Sequence, residues 1–549
     1  MSGISELECG QGMAAAPRSG WSALAGWVIA LAAALTLYGA TMAPGLVWHD
    51  AGYYQWEAAR LSLVRPGETV RVHPFFVVLA HAIGQTGIWD YAKAASVASA
   101  LGTAIAVANV WLIVWWLTRR AAPATLAAMA CMLAHTIWQQ SVQPQTYGWS
   151  NAALSGMVLA AIAYVQSGRT AHLMWMFLVG GVGLSIHLMS QLGLAVLGVW
   201  VLILVLRKRT PWWVLPAGAG LWILGAALFW YVVFLEYQRT GSAAETMRSA
   251  LLGEWGSAVF NVSNLPRMAW RSLLMLVLNF PTPVALVGLY GLWRSRRILS
   301  GTPLAVLLGV MLAAYAAFGF RYRVPNQNFF FTPLYMLAAV YIGLGVHATG
   351  WTRRRPGLAA LLVLTLAVAP AYWVMARTAE AVKFNLLEGG RMHEIPYRNI
   401  YTYYLLPWQN GQVGPRRLAE EVMASLPPRA VLLPDSTTAP PLKCLHDVEG
   451  ERPDVLIVDP YDAQFDPSVR RLWHGPNDPW PALAAEGRRV FVMSDQPAYM
   501  PRWVTKYARL EPFGILWEVR PRRIEEGDSP LERKGDSPLS VSPAEGAAP

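Results

Sequence analysis

The sequence predicts a multi-span α-helical membrane protein with a small C-terminal α/β domain outside the bilayer. Three observations lead there. Of the 549 residues, 55% are hydrophobic and only 14% charged, whereas soluble domains carry about 25% charged residues. A soluble enzyme, a disordered chain and a coiled coil are therefore excluded. About eleven apolar runs approach the roughly 20 residues that a spanning helix needs. Basic residues gather in every second loop between those runs.

The first run, Trp21–Met42, holds no charge. It exceeds the roughly 7–15 residues of a signal-peptide core, and no small-residue cleavage site follows it. It is expected to stay as a helix. Further runs cover approximately 94–117, 122–141, 147–165, 172–188, 190–206, 212–235, 271–292, 302–319, 329–348 and 357–375. Arg119-Arg120, Arg169, Arg207-Lys208-Arg209, Arg294/Arg296/Arg297 and Arg353-Arg354-Arg355 follow the second, fourth, sixth, eighth and tenth runs. Short basic loops stay cytoplasmic. Residues 1–20 are thus expected in the cytoplasm of a cell with an inner membrane, 21–376 in the bilayer, and 377–523 outside.

The net charge of +11 has the same source. Those five loops hold twelve basic residues and no acid, more than the whole excess. Scattered clusters at helix ends do not make the single basic face of a nucleic-acid binder, so no nucleic-acid partner is expected. Cys9, Cys131 and Cys444 are too few and too dispersed for a disulfide scaffold or a zinc site. The 26 Trp and 21 Tyr suit membrane interfaces and sugar-binding clefts.

The same topology places the unusual polar residues on one side. The long first outer loop, about 44–92, carries Asp50 in Trp48-His49-Asp50-Ala51-Gly52-Tyr53 and His73 in Arg71-Val72-His73-Pro74-Phe75-Phe76. Other outer turns carry Gln139-Gln140-Ser141-Val142-Gln143-Pro144-Gln145-Thr146-Tyr147, then Asn151, His187, and Arg321-Tyr322-Arg323. Polar residues at membrane depth are costly and are kept for a role. Bland readings stand beside the functional one. Asp50 could serve only as a helix N-cap, His73 as a loop residue, His187 as a satisfied bundle histidine, and Arg321 and Arg323 as interface arginines. No metal constellation is present and no cofactor is expected.

From about Arg377 hydropathy drops. Arg416–Leu426 reads as an amphipathic helix, and Ala430–Leu433, Val455–Val458, Arg489–Met493 and Ile515–Val519 read as short strands. The tail from 524 to 549 repeats Gly-Asp-Ser-Pro-Leu at 527–531 and 535–539 and reads as disordered.

The order of these features resembles the domain-of-unknown-function 2723 family, bacterial relatives of the transmembrane protein 260 family of protein O-mannosyltransferases. The resemblance spans roughly 25–520. It rests on Pro44 with Asp50-Ala51-Gly52-Tyr53, Val72-His73-Pro74, Trp138-Gln139-Gln140 through Gln145-Thr146-Tyr147 to Asn151, Gly183-Leu184-Ser185-Ile186-His187-Leu188, Leu426-Pro427-Pro428-Arg429-Ala430-Val431-Leu432, Glu449 to Val455, and Glu511-Pro512-Phe513-Gly514-Ile515-Leu516 as a closing strand. Tyr53 and Gln145 stand where the family has acids.

The resemblance implies a GT-C glycosyltransferase. Such an enzyme would move a mannose-like hexose from a polyprenyl-phosphate donor to a hydroxyl of a protein or glycan acceptor at the outer face of the membrane. It implies Asp50 as the base, with His73, Gln145, Tyr147, Asn151 and His187 lining the cleft. Position and charge suggest Arg321 and Arg323 for the donor phosphate. Two other readings stay open. One is a lipid-linked sugar transporter or flippase, against which stands the lack of a visible inverted repeat. The other is a catalytically inactive relative.

Overall fold

Each of the eleven apolar runs is helical in the protein, a computed structural model that describes residues 20–65, 67–253, 265–322, 324, 326–384, 394–460 and 487–521. The N-terminal segment to 19 and the repeats in the tail lie outside the described residues.

In chain order the helices are α1 (Gly20–Thr41), α2 (His49–Arg60), α3 (Pro74–Gln85), α4 (Tyr91–Thr118), α5 (Ala121–Leu133), α6 (His135–Ser141), α7 (Tyr147–Ser167), α8 (Thr170–Ile186), α9 (Ser190–Leu206), α10 (Val214–Gly225), α11 (Ala227–Thr240) and α12 (Ala243–Leu251). They continue with α13 (Leu265–Asn279), α14 (Val284–Ile298), α15 (Leu304–Arg321), α16 (Thr332–Thr349), α17 (Arg355–Leu366), α18 (Val368–Ala381), α19 (Ile400–Leu405), α20 (Gly414–Ser425), α21 (Ala439–Lys443) and α22 (Arg502–Tyr507).

Six stretches are long and apolar enough to cross a bilayer, and three bent pairs raise that to nine. The pairs are α5/α6, bent by 67°, α10/α11 by 66°, and α13/α14 by 108°. Helices α8 and α9 have 17 residues each. At about 1.5 Å per residue they fall short of the roughly 30 Å of hydrocarbon. The eleven apolar runs therefore yield six to nine candidate spans among the described residues.

Helix α4 is the hub. Its 28 residues are mostly Ala, Ser, Gly and Val, small enough for α1, α3, α5 and α7 to pack along it. The largest core cluster surrounds it, from Ala34 and Tyr38 to Tyr341 and Tyr372. Without a hydrophobic drive between helices in lipid, close approach of small residues holds the bundle. The crossing of α14 and α16 shows this: a β-carbon on Gly291 would stand 1.9 Å from the Tyr341 carbonyl oxygen, and one on Gly345 1.9 Å from that of Val287.

The segment between α1 and α4 is largely helical rather than a loop. Trp48, extended at φ −85° and ψ 165°, is the N-cap of α2, so Asp50 lies in the first turn and the capping reading of Asp50 is corrected. An acid there and Arg60 in the last turn both complement the helix dipole. Helix α3 starts at Pro74, which needs no N–H partner at that position.

The C-terminal unit holds a five-stranded sheet of β1 (Val431–Leu433), β2 (Leu456–Ile457), β3 (Val490–Val492), β4 (Ala508–Phe513) and β5 (Leu516–Pro521). The order is β2-β1-β3-β5-β4, with the first three parallel and the last two joined antiparallel. The alternate faces of β1 and β3 bury Leu432 and Phe491 against α20, and Val431, Leu433, Val490 and Val492 on the opposite side. The expected closing strand Glu511–Leu516 is instead the end of β4, a turn at Gly514 (φ 59°) and the start of β5.

A one-turn π segment, Cys444–Val448, closes this unit against α2. His446 Nδ1 lies 2.6 Å from Asp447 Oδ1, and its Nε2 lies 3.1 Å from the Val455 carbonyl oxygen. Two acceptors favour the doubly protonated ring, and the Asp447 hydrogen bond raises the His446 pKa above its ordinary value. Burial pushes Asp447 up, but hydrogen bonds from His446 and Trp56 outweigh it and hold the carboxyl below its usual range. A raised histidine stabilises fully below the unfolded value of about 6.5 and loses that as pH rises through the folded value. The lowered aspartate does the reverse at acid pH. The thermal midpoint should thus decline from pH 6 to pH 9, with a shallower slope in His446→Gln. Equal slopes in the two proteins would refute the pair's contribution.

Candidate functional site

Helix α2 and the chain leading into α3 build the site. Arg71 ends a short 3-10 turn, Thr69–Arg71, and its guanidinium lies 3.6 Å from Asp50 Oδ1. The Asp50 side chain is 48% exposed and that of Arg71 21%, so this pair is open to a substrate. One turn along α2, Tyr54 packs edge-on against Phe76 of α3, at 5.3 Å between ring centroids. Another turn on, buried Glu57 makes an ion pair with Arg65.

His73, the N-cap of α3, is placed by its neighbours. Its Nδ1 donates to the Ile186 carbonyl at 2.8 Å. Its ring stacks on His187 at 4.9 Å and 13°. Burial, then the second imidazole beside it, holds His73 well below the ordinary histidine value. It is therefore neutral at neutral pH, with Nε2 carrying the lone pair. His187 meets Tyr147 at 5.4 Å and Phe330 at 6.0 Å, and Phe330 meets Tyr322 edge-on at 4.6 Å. Tyr54, one turn after Asp50 on α2, links it to this group, its ring centroid 5.7 Å from that of His73.

The structure thus brings Asp50, His73, Tyr147 and His187 into one cluster, from four separate segments of the chain. Gln145 and Asn151 flank Tyr147 and are buried. The Ser99 hydroxyl grips the Gln145 main chain, 2.6 Å from its nitrogen and 3.0 Å from its oxygen. Asn151 Oδ1, Thr146 Oγ1 and both side-chain polar atoms of Gln140 have no hydrogen-bond partner among the described residues. Arg321 is the last residue of α15 and is partly buried, next to Tyr322 of the cluster. Arg323 lies outside the described residues. A cation does stand beside Asp50, namely Arg71.

Tyr54, Arg71 and Tyr322 belong to the site without having been singled out from the sequence. Tyr54 was findable, because it stands four residues after Asp50 on one helical face. Arg71 and Tyr322 depend on tertiary folding, though both neighbour residues that were singled out.

The turn carrying Phe330 also borders an apolar cavity of about 400 Å³. Leu273 and Leu276 of α13, Ala316 and Phe320 of α15, and Phe331 and Tyr335 line it. Among the described residues no three His, Cys, Asp or Glu side chains gather closely enough to hold a metal ion.

No protein-family model matches the chain, and no curated protein matches it by sequence. Solved structures do match its fold. ArnT from Cupriavidus metallidurans bound to undecaprenyl phosphate aligns with a TM-score of 0.53 and 14% identity, over 91% of this chain and 98% of that one. ArnT from the same organism in the apo state aligns with a TM-score of 0.53 and 16% identity, over 90% and 98%. At such identity the likeness is one of fold. With the apolar helices, it makes the chain a multi-pass membrane protein.

Proposed function

We propose that the chain is an integral-membrane glycosyltransferase of the GT-C kind. It would transfer a mannose-like hexose from a polyprenyl-phosphate donor to a hydroxyl of a protein or glycan acceptor at the outer face of the inner membrane. The observation that carries this reading is the half-exposed Asp50–Arg71 pair, joined through Tyr54 to the Tyr147–His187–His73 cluster. The fold shared with a protein crystallised with undecaprenyl phosphate supports it. So do the motifs that resemble the domain-of-unknown-function 2723 and transmembrane protein 260 families.

In this reading the acceptor oxygen attacks the anomeric carbon, and the bond from that carbon to the phosphate oxygen breaks with its electron pair. Asp50 takes the acceptor's proton as the new bond forms. Arg71 orients the carboxylate, and Arg321 with Arg323 receives the charge left on the lipid phosphate. The rings of Tyr147, His73 and His187, with Gln145 and Asn151, shape the sugar pocket. The apolar cavity beside α15 takes the first isoprene units. A lipid phosphate leaves readily, so the step needs no metal. The N-terminus is cytoplasmic in this arrangement, and the C-terminal unit is extracytoplasmic.

The test is to incubate purified protein with radiolabelled polyprenyl-phosphate hexose and candidate acceptors. Label transferred to a hydroxyl acceptor is the expected result. Lipid movement across liposomes without transfer would replace the reading with a flippase, and neither activity would replace it with an inactive relative.

A further inference from the structure

Helix α2 presents two faces at helical spacing. Asp50, Tyr54 and Glu57 form the face towards the site. His49, Tyr53, Trp56 and Arg60 form another, and each of these four is tied to the C-terminal unit. The His49 main-chain N–H donates to the Thr437 carbonyl at 3.3 Å, and its Nδ1 lies 3.2 Å from the Thr437 hydroxyl. The Tyr53 hydroxyl lies 2.7 Å from both carboxylate oxygens of Asp459. Trp56 Nε1 donates to Asp447 at 2.8 Å, and Lys443 Nζ stands 4.3 Å from the Trp56 ring centroid. Arg60 reaches the Asp447 carbonyl at 3.5 Å. A β-carbon on Gly52 would come within 2.5 Å of Pro440 Cβ, so the backbone of α2 packs directly on the Pro440 ring of α21.

The centre of this junction is costly. Asp459 is fully buried, and the Lys443 Nζ that faces it at 3.5 Å belongs to a side chain only 4% exposed. A buried ion pair is weak evidence for stability; its best-attested use is to specify one arrangement over others. His49 is itself held at φ 58°, a backbone state that non-glycine residues adopt only when their surroundings impose it. Position 53, where the resemblance expects an acid, holds a tyrosine whose acid partner comes from the C-terminal unit.

We propose that the Tyr53–Asp459–Lys443 junction positions Asp50: the C-terminal unit fixes the rotation of α2, and Asp459 and Lys443 are positioning residues for the reaction. This rests on Asp50 acting as the base. Side-chain tips stand about 5–6 Å from a helix axis, so a rotation of about 10° moves the carboxylate by about 1 Å. A displacement of about 1 Å in a reacting geometry can cost about 10²-fold in rate.

The experiment uses the full-length protein in nanodiscs, with Asp459→Asn, Tyr53→Phe, the double variant, and Glu518→Gln. The last breaks the Arg489–Glu518 pair on the sheet, at 2.7 Å, away from α2. Expected for each junction variant is a kcat lowered by about 10-fold or more, with donor KM within about 2-fold of wild type. The double variant should be no slower than the slower single variant, because both remove one interaction. Amide exchange over residues 49–60 should quicken in both, and Glu518→Gln should keep wild-type kcat.

Wild-type kcat in both single variants overturns the proposal. So do losses that multiply in the double variant, or an equal loss in Glu518→Gln. If Asp459→Asn does not fold, Tyr53→Phe decides alone, since it removes one hydroxyl. If the wild-type protein transfers no sugar, the glycosyltransferase reading falls and the junction is judged by exchange: quickened exchange upholds it, unchanged exchange overturns it.

Discussion

Replacing Asp50 by asparagine should lower kcat for sugar transfer by about 10²–10⁴-fold, the range attributed to a positioned general base. The amide matches the carboxylate in shape and keeps a polar group in the first turn of α2, but it cannot accept the acceptor's proton. Its pairing with Arg71, at 3.6 Å, is half-exposed, and such pairs add little to stability. The variant should therefore express and melt like the wild type, with donor KM nearly unchanged. Initial rates with labelled donor, measured beside a thermal melt, separate the two effects. Turnover within about threefold of wild type, in protein that melts normally, would remove Asp50 from the chemistry.

The largest expected effect on stability lies far from the site. Gly345→Ala adds one methyl group where α16 crosses α14, at 1.9 Å from the Val287 carbonyl oxygen. Gly291→Ala makes the same intrusion from the other side, onto the Tyr341 carbonyl oxygen. Neither obstacle is a side chain that can swing away. Overpacking a tight core costs about 1–3 kcal/mol, occasionally more, and moving two helices apart belongs at or above the upper end. Each variant should lose most of its monodisperse fraction in size-exclusion chromatography, and the remainder should melt earlier. Gly220→Ala, in α10 with no atom within 4 Å of the added carbon, is the control and should behave as wild type. Equal behaviour of Gly345→Ala and Gly220→Ala would show that the crossing is looser than described.

These helices were legible because hydropathy needs no tertiary information: every apolar run became a helix or a bent pair. The breaks were less visible. The 108° bend between α13 and α14 contains Pro281 and Pro283, a signal any reading can use. The bends of 67° and 66° fall at Ala134 and Ala226, residues that favour helix, so packing rather than propensity sets them. In the sheet, four strands were expected where they occur, and β4 was missed. Its Pro512 argues against a central strand but is tolerated at an edge, and β4 pairs with β5 alone among the described residues.

At the candidate site, the gathering of Asp50, His73, Tyr147 and His187 was legible as polar residues on turns between apolar runs, whereas Arg71 beside Asp50 was not. The two faces of α2 were present in the spacing 49/53/56/60 and 50/54/57 all along. What the sequence withheld was the identity of the surface waiting for the first face, which lies about 400 residues further along the chain.

The placement of Pro512 has a consequence of its own. A sheet edge with free N–H and C=O groups invites another chain to add a strand. A membrane confines its proteins to two dimensions at high density, so a C-terminal sheet with an open edge would meet its own copies constantly. On β4 the exposed Pro512 removes a donor from that edge, and Arg509 pairs with Glu511 at 3.0 Å along the same strand. A charged strand interrupted by proline is a poor template for another copy of the sheet to extend.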